Sequence, residues 1–133
     1  MTLKTYQKHY SSEEINVGDV VVFYKTYNED HIEIITDEVT RGIYYRIDIP
    51  KIAGICTEVN GNQITVQVDD IAEVNTTGLI CIGDKLTVST QEGKATAIKY
   101  IKQDQNIFNI VSIGKVIGLC RDITKATVLL DIE

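Results

Sequence analysis

VGDVV at residues 17–21 recurs as IGDKL at residues 82–86, and this pair of segments decides the fold because it indicates a duplicated β-unit. A second motif, IAGIC at residues 52–56, is echoed by VIGLC at residues 116–120. The distance along the chain between the two copies differs by a single position from one motif to the other. Two separated motifs that recur at nearly the same offset predict two copies of one supersecondary unit.

A third segment follows the same spacing, after each copy of the second motif. The alternating apolar runs are Ile64, Val66 and Val68 in the first half and Val128, Leu130 and Ile132 in the second, at the same offset as the second motif. The sequence therefore predicts an internal repeat, over residues 15–70 and 80–133, within a single all-β domain over residues 15–133. The competing interpretation is a chance match, since strands rich in valine and isoleucine align easily.

Alternation of apolar and polar residues is found almost throughout the chain and predicts β-strands. The clearest example runs from Ile43 to Ile49 and ends at Pro50, with Tyr44 on the outward face. Helical signals are few, and the segment from Gln103 to Ser112 is interpreted as a loop followed by a strand. The predicted fold is a compact β-sandwich or barrel of about eight to ten short strands with little helix.

Turn signals separate these strands. Six residues are predicted to form structural turns: Gly18, Asp19, Asn60, Gly61, Gly83 and Asp84. The two Gly-Asp pairs directly precede strands, where glycine allows a sharp change of direction. Asn-Gly between two apolar runs predicts a hairpin with a type I′ turn, whose central positions both need positive φ. Glu92-Gly93 marks a second hairpin.

The composition excludes several classes of function. With 133 residues and 44% hydrophobic content, the chain suits one domain or two small lobes with a shared core. The net charge of −6 argues against a nucleic acid partner, which would need a basic face. No apolar run approaches the roughly 20 residues that span a membrane, so no membrane partner is expected. The leader, residues 1–14, is either a disordered tail or an arm that docks on a neighbour.

Neither a catalytic site nor a cofactor or metal site is predicted. The only histidines, His9 and His31, lie in polar segments, and no nucleophile elbow surrounds a serine. Adjacent carboxylates such as Asp69-Asp70, the least unsuitable pair for a metal, lack the spacing of a calcium loop. The three cysteines lie in apolar runs without a metal-binding spacing and are predicted to be buried thiols.

Tyrosine dominates the aromatic residues, with seven copies beside two phenylalanines. Tyrosine is favoured at protein interfaces because it combines a large apolar ring with a polar tip. The predicted partner-binding residues are Tyr6, His9, Tyr10 and Tyr44. The alternative is that most tyrosines simply lie at the edge of the core.

The order of the motifs resembles that in the β-domains of tailed-bacteriophage virion proteins. Two groups share such a series, the small capsid decoration or head-fibre proteins and the β-rich C-terminal module of tail appendages. The matching segments are EINVGDVVV at 14–22, IAGI at 52–55, GLICIGDKL at 78–86, EGKAT at 92–96, IGKVIGL at 113–119 and VLL at 128–130.

This resemblance implies a non-enzymatic structural protein that decorates and stabilises a phage capsid. Its partner would be the major capsid protein lattice, its oligomeric state a homotrimer, and its place the virion, after assembly in the bacterial cytoplasm. The alternative is a tail-fibre or receptor-binding module of a phage appendage. Some appendage modules cleave themselves at a reactive serine, and no serine of this chain has a matching context, which favours the decoration protein.

Overall fold

A computed structural model of the chain describes residues 1–43, 50–101, 111–120 and 124–132, with side chains described up to residue 99 in the second of these ranges. Within them the chain forms ten strands in two five-stranded antiparallel sheets, together with one helical turn, α1, at Ile98–Ile101. The prediction of an all-β fold with little helix is confirmed. Tyr44 and most of the strand predicted from Ile43 to Ile49 lie outside the described residues.

The first sheet, here called the first unit, uses the chain up to Gln67. Its strands are β1 (Leu3–Gln7), β2 (Val20–Tyr27), β3 (Glu33–Arg41), β4 (Ile52–Asn60) and β5 (Gln63–Gln67), in the spatial order β1-β5-β4-β2-β3. The sheet curls into a half-barrel. Strand β1 belongs to the predicted leader, so this part of the leader is paired with β5 and is not a free tail.

The second sheet, the second unit, has the same topology. Its strands are β6 (Asp69–Asn75), β7 (Lys85–Val88), β8 (Ala95–Ala97), β9 (Gly114–Leu119) and β10 (Lys125–Asp131), in the order β6-β10-β9-β7-β8. Adding five to each strand number of the first sheet gives the order of the second. Two sheets of unrelated origin would have no reason to share a non-sequential order of five strands, and this agreement supports the predicted duplication.

The strand register also repeats between the units. Val21 of β2 lies opposite Gly54 of β4. Leu86 of β7 lies opposite Gly114 of β9 in the same way. A Cβ atom at either glycine would overlap the neighbouring strand, at Gly114 the carbonyl group of Leu129. Glycine is therefore required at this crossing in both units, because the backbones approach too closely for a side chain.

A parallel bridge closes each unit between the end of its first strand and its third strand. The bridge joins Lys8 to Val39 in the first unit and Thr76 to Ala95 in the second. These residues occupy equivalent places in the two registers. Each sheet therefore curls around its own interior, which explains why each unit has a core of its own.

The offset between the units is not constant, which corrects the sequence alignment. The register matches Val21 with Leu86 and Gly54 with Gly114, and the second pair is closer along the chain than the first. The sequence motif instead matches Gly54 with Gly118, which lies opposite Thr127 beside a bulge. The reason is that loops of different length connect the strands, so that a single offset cannot fit every strand.

The interiors of the two units use equivalent positions. The first core contains Ile15, Val21, Val39, Ala53, Cys56, Ile64 and Val66, with Tyr6 and Phe23 packed against it. The counterparts in the second unit are Ile80, Leu86, Ala95, Ile113, Val116, Ala126 and Val128, with Val74 and Val88, and all of these belong to the second core. Alternate residues of a strand face the same side, so a shared register puts the same positions inside.

The second core also includes the outer face of the first unit. Val20 and Ile55 are fully buried there, although their strands belong to the first sheet. Their counterparts on the second unit are Lys85 and Lys115, which are exposed. The outer face of β2 and β4 thus packs into the second core. The equivalent face of β7 and β9 is exposed to solvent and carries lysines.

The Gly-Asp turns have nearly identical geometry. Gly18 and Gly83 have φ angles of 92° and 95°. The Oδ2 atom of Asp19 accepts a hydrogen bond of 2.9 Å from the backbone N–H three residues earlier, and Asp84 does the same. Each carboxylate thus fixes the turn that leads into β2 or β7.

The hairpin between β4 and β5 differs from the prediction. Asn60 is the last residue of β4 and pairs with Gln63, so the two loop residues are Gly61 and Asn62. Only Gly61 has a positive φ, of 60°. One positive φ at the first central position is what a type II′ turn requires, and the predicted type I′ turn is wrong.

Candidate partner-binding surface

The leader brings its aromatic residues to different places. Tyr6, on β1, packs against the first core, with its ring edge-on to Phe23 at a centroid distance of 5.1 Å. Its ring is therefore partly buried against this core. Tyr44, the predicted tyrosine outside the leader, lies beyond the described residues.

His9 and Tyr10 form a surface group together with Tyr24, here called the aromatic cluster. The His9 ring stacks on Tyr24 with centroids 3.5 Å apart and planes 9° apart. Tyr10 contacts both rings edge-on, at 4.5 and 5.7 Å. His9 Nδ1 also lies 3.0 Å from a carboxylate oxygen of Glu38. These contacts hold the rings in one arrangement, and Tyr10 remains 48% exposed.

A cleft of about 370 Å³ lies beside the aromatic cluster, with Tyr10 and Tyr24 in its wall. Arg41 and Lys25 contribute positive charge, and the Nη2 atom of Arg41 lies 2.7 Å from a carboxylate oxygen of Glu92. Glu13 accepts hydrogen bonds from the Thr40 hydroxyl at 2.7 Å and from the Arg41 backbone N–H at 3.0 Å. The cleft is thus lined by aromatic rings and by charged groups whose positions are fixed within the chain.

Sequence reasoning found two members of the aromatic cluster and missed the third. Tyr24 follows directly on the apolar residues of β2, a pattern that predicts a strand covered on both sides. The strand in fact continues past the core, and burial decreases from Val22 to Tyr27 along it. The leader can meet Tyr24 only because the bridge from Lys8 to Val39 brings it across β3, a contact that no local pattern reveals.

The second unit has a different surface at the equivalent end. Where the first unit carries Lys8, His9 and Tyr10, the second carries Thr76, Thr77 and Gly78. The equivalence follows from two matching pairs of backbone hydrogen bonds, Lys8 to Asn62 with Thr76 to Thr124, and His9 to Val39 with Thr77 to Ala95. In the first unit the Lys8 ammonium folds back and donates a 2.8 Å hydrogen bond to the Glu13 carbonyl.

The small residues of the second unit leave an open pocket of about 640 Å³, here called the second-unit mouth. Its apolar wall is formed by Leu79, Ile80 and Leu119. Lys94 and Lys125 also line it. The second-unit mouth is thus an apolar pocket with two ammonium groups, in contrast to the polar, filled end of the first unit.

The acidic pair Asp69-Asp70 has a structural role. Asp69 accepts hydrogen bonds from the hydroxyl and the backbone N–H of Thr2, at 2.7 and 2.6 Å. These bonds stabilise the charged form and lower the pKa of Asp69. Within the described ranges, no group of three or more histidine, cysteine, aspartate or glutamate side chains is placed to hold a metal ion.

The prediction of three buried thiols is wrong for two of them. Cys56 is buried in the first core, but Cys81 is exposed and Cys120 is partly exposed. Cys81 lies in the loop before the Gly83-Asp84 turn, where Leu79 and Ile82 are also exposed. Cys120 follows the end of β9 and lines the second-unit mouth.

Neither a membrane span nor a similar protein adds to this description. In the parts of the chain that the structure describes, no helix is both long and apolar enough to cross a membrane. No protein-family model matches the chain, and no curated protein or solved structure is significantly similar to it. A functional assignment therefore depends on the side chains described above and on the order of the sequence motifs.

Proposed function

We propose that the protein is a structural component of a tailed-bacteriophage virion that decorates and stabilises the capsid surface without catalysing a reaction. The order of the sequence motifs supports the virion assignment. The observation that carries the binding role is the aromatic cluster, whose exposed member Tyr10 is held beside the cleft by His9 and Tyr24. The partner is the major capsid protein lattice.

The aromatic cluster suits a protein partner for two reasons. Tyrosine and arginine are the residue types that most often contribute binding energy at protein interfaces, and both line the cleft. The rings are already fixed by their mutual contacts, so binding costs little side-chain entropy. Stabilisation of a capsid then follows if one copy, or a trimer of copies, contacts neighbouring capsid subunits at once, since linked contacts raise the effective affinity.

The test is co-sedimentation of the purified protein with assembled heads of the encoding phage, compared with unassembled capsid subunits. We expect binding to heads and little binding to free subunits. Tyr10→Ala should weaken head binding about thirtyfold, which corresponds to roughly 2 kcal/mol for a central interface residue. The control is Ile71→Ala, because Ile71 is similarly exposed (51%) and lies on the second unit.

Two outcomes would contradict the proposal. Heads that retain none of the wild-type protein would exclude capsid decoration. Equal loss of binding in Tyr10→Ala and Ile71→Ala would exclude the aromatic cluster as the contact. Circular dichroism of each variant separates loss of binding from loss of folding, and light scattering tests the trimer by a native mass three times the 14.9 kDa of one chain.

A tail-fibre or receptor-binding module is the second candidate. The observation that favours it is the composition of the cleft, where tyrosine rings stand beside Arg41, Glu13 and Glu92. Aromatic faces next to paired polar groups also suit a sugar ring. Retention of the protein on host cells or on a glycan array, with no retention on heads, would favour this function over decoration.

A further inference from the structure

The first unit has an extension that the second unit lacks. Between Tyr24 and Glu38 the hairpin of β2 and β3 continues well beyond the core. The equivalent connection in the second unit, between Ser89 and Lys94, is a short turn. The extension carries four exposed apolar side chains, Tyr27, Ile32, Ile34 and Ile35.

Hydrogen bonds fix the conformation of the tip of this hairpin. The side-chain oxygen of Asn28 accepts hydrogen bonds from the backbone N–H groups of Asp30 and Ile32, at 2.9 and 3.0 Å. The backbone N–H of Asn28 in turn donates to the Ile32 carbonyl at 3.0 Å. His31 takes a positive φ of 60° to close the turn. Ile32, 59% exposed, is therefore presented on a fixed loop.

The two faces of the hairpin differ. Ile34 lies opposite Thr26 and shares its face, and Ile32 lies two residues before it, in the turn that leads into β3. The other face carries an ion pair between Lys25 and Glu33 at 3.3 Å. Tyr27, opposite Glu33, and Ile35, opposite Lys25, share that face with the ion pair, so the face of Ile34 is the one that lacks it.

We propose that this hairpin tip inserts into the second-unit mouth of another copy of the chain. Ile32 and Ile34 would meet the apolar wall formed by Leu79, Ile80 and Leu119. The mouth, at about 640 Å³, has the size of pockets that enclose small groups rather than whole strands, which suits a hairpin tip.

The charges of the two surfaces are complementary. The tip carries the exposed carboxylates of Glu29 and Asp30. The mouth carries Lys94 and Lys125, which form no ion pair with any of the described residues. The first unit cannot offer an equivalent socket, because Lys8, His9 and Tyr10 occupy that end. The contact is therefore head-to-tail, and such contacts form closed rings when the rotation between copies closes.

Cysteine cross-linking tests this contact with a native partner residue, because Cys120 lines the mouth. Ile32→Cys is made in a Cys81→Ser background, which removes the exposed thiol, while Cys56 is buried. Mild oxidation should then produce chains joined through position 32 of one copy and Cys120 of the next, resolved by non-reducing electrophoresis and mapped by mass spectrometry. Adding Cys120→Ser should abolish these products.

The control is Val59→Cys in the same background, since Val59 is also exposed and lies near the end of β4 in the first unit. Equal cross-linking from positions 59 and 32, or a link from position 32 to Cys120 within one chain, would overturn the proposal.

A second measurement is independent of thiols. Ile32→Asp should lower the native mass in light scattering while Ile35→Asp leaves it unchanged, and an unchanged mass in both would also overturn the contact. Head binding, probed through Tyr10, is measured separately.

Discussion

The first and second units share strand order, register and interior positions, but they differ wherever they face something outside their own sheet. Val20 and Ile55 of the first unit are buried against the second, whereas the equivalent Lys85 and Lys115 are exposed. Positions inside a curled sheet are constrained by close packing, and positions outside it are constrained only by what covers them. The two units therefore agree inside their sheets and differ on their outer faces.

The ends of the units show the same divergence. The first unit fills its end with Lys8, His9 and Tyr10, and the aromatic cluster is the result. The second unit places Thr77 and Gly78 there and keeps an open apolar mouth. The same strand order thus carries an aromatic surface at the end of the first unit and an open apolar pocket at the end of the second.

The largest expected effect comes from exchanging the outer-face residues between the units. Ile55→Lys buries an unpaired charge between the units and should lower the free energy of unfolding by about 4–5 kcal/mol. Lys115→Ile, the reverse change on the exposed face, should alter it by less than about 0.5 kcal/mol. Urea unfolding followed by circular dichroism measures both.

If Ile55→Lys does not fold, Ile55→Ala replaces it, with an expected loss of about 2–5 kcal/mol through the cavity that it leaves. Similar losses for the variants at Ile55 and Lys115 would mean that the outer face of the first unit does not join the units. The difference between a buried outer face on the first unit and an exposed one on the second would then be wrong.

A smaller difference is expected between the two turn aspartates. Asp19 is buried and accepts from Asn16 and from Asn75 Nδ2 of the second unit, both at 2.9 Å. Asp19→Ala would leave these donors without an acceptor and should cost about 2–3 kcal/mol, since hydrogen bonds to a charged group are strong. Asp84→Ala should cost about 1 kcal/mol, because Lys99 is only a surface partner.

Chemical unfolding of the two aspartate variants under one set of conditions decides this comparison. Equal costs would show that the turn hydrogen bond dominates in both units and that the link from Asp19 to Asn75 adds little. The counterpart of Asn75 in the first unit is Gln7, on exposed β1, so only one of the two turns is tied to the other unit.

The sequence is sufficient for the class of fold, because alternation and Gly-Asp turns are local signals. It does not determine the correspondence between strands. Because the loops differ in length, Gly54 corresponds in register to Gly114 and not to Gly118. Either match is compatible with the alternation of apolar residues, because the two candidate positions are an even number of residues apart. Only hydrogen-bonded register resolves such an ambiguity.

The candidate surface is only partly predictable for a related reason. His9 and Tyr10 stand out as aromatic residues in a polar leader, but their partners Tyr24 and Glu38 are brought to them by the closure of the first unit. The segment of Tyr6 forms strand β1, which the sequence pattern does not reveal, so its ring packs on the first core while its predicted role in partner binding stays a prediction. The sequence contains no signal for the second-unit mouth. This pocket exists because small residues such as Gly78 stand at that end of the unit, and small residues form no recognisable motif.

The smallest expected effect concerns the one core position where the units differ by a thiol. Cys56 of the first core corresponds to Val116 of the second. Cys56→Val should therefore change the free energy of unfolding at pH 7 by less than about 1 kcal/mol, as a swap of similar volume does. Urea unfolding of the variant and the wild type checks this value.

The pH dependence makes the same substitution more informative. Burial raises the pKa of the Cys56 thiol to about 11, from an ordinary value of 9.0. The unfolded chain thus loses this proton at lower pH than the folded chain does, so the stability that the thiol contributes is complete below pH 9 and is lost as the pH rises toward 11. Cys56→Val should remove this loss, and the difference between the two chains should grow only above pH 9. A Cys81→Ser control, at an exposed thiol, should keep the alkaline decrease. If the decrease in stability disappears in Cys81→Ser and persists in Cys56→Val, the Cys56 thiol is not its cause. Cys56 would then not be buried in the first core as Val116 is in the second.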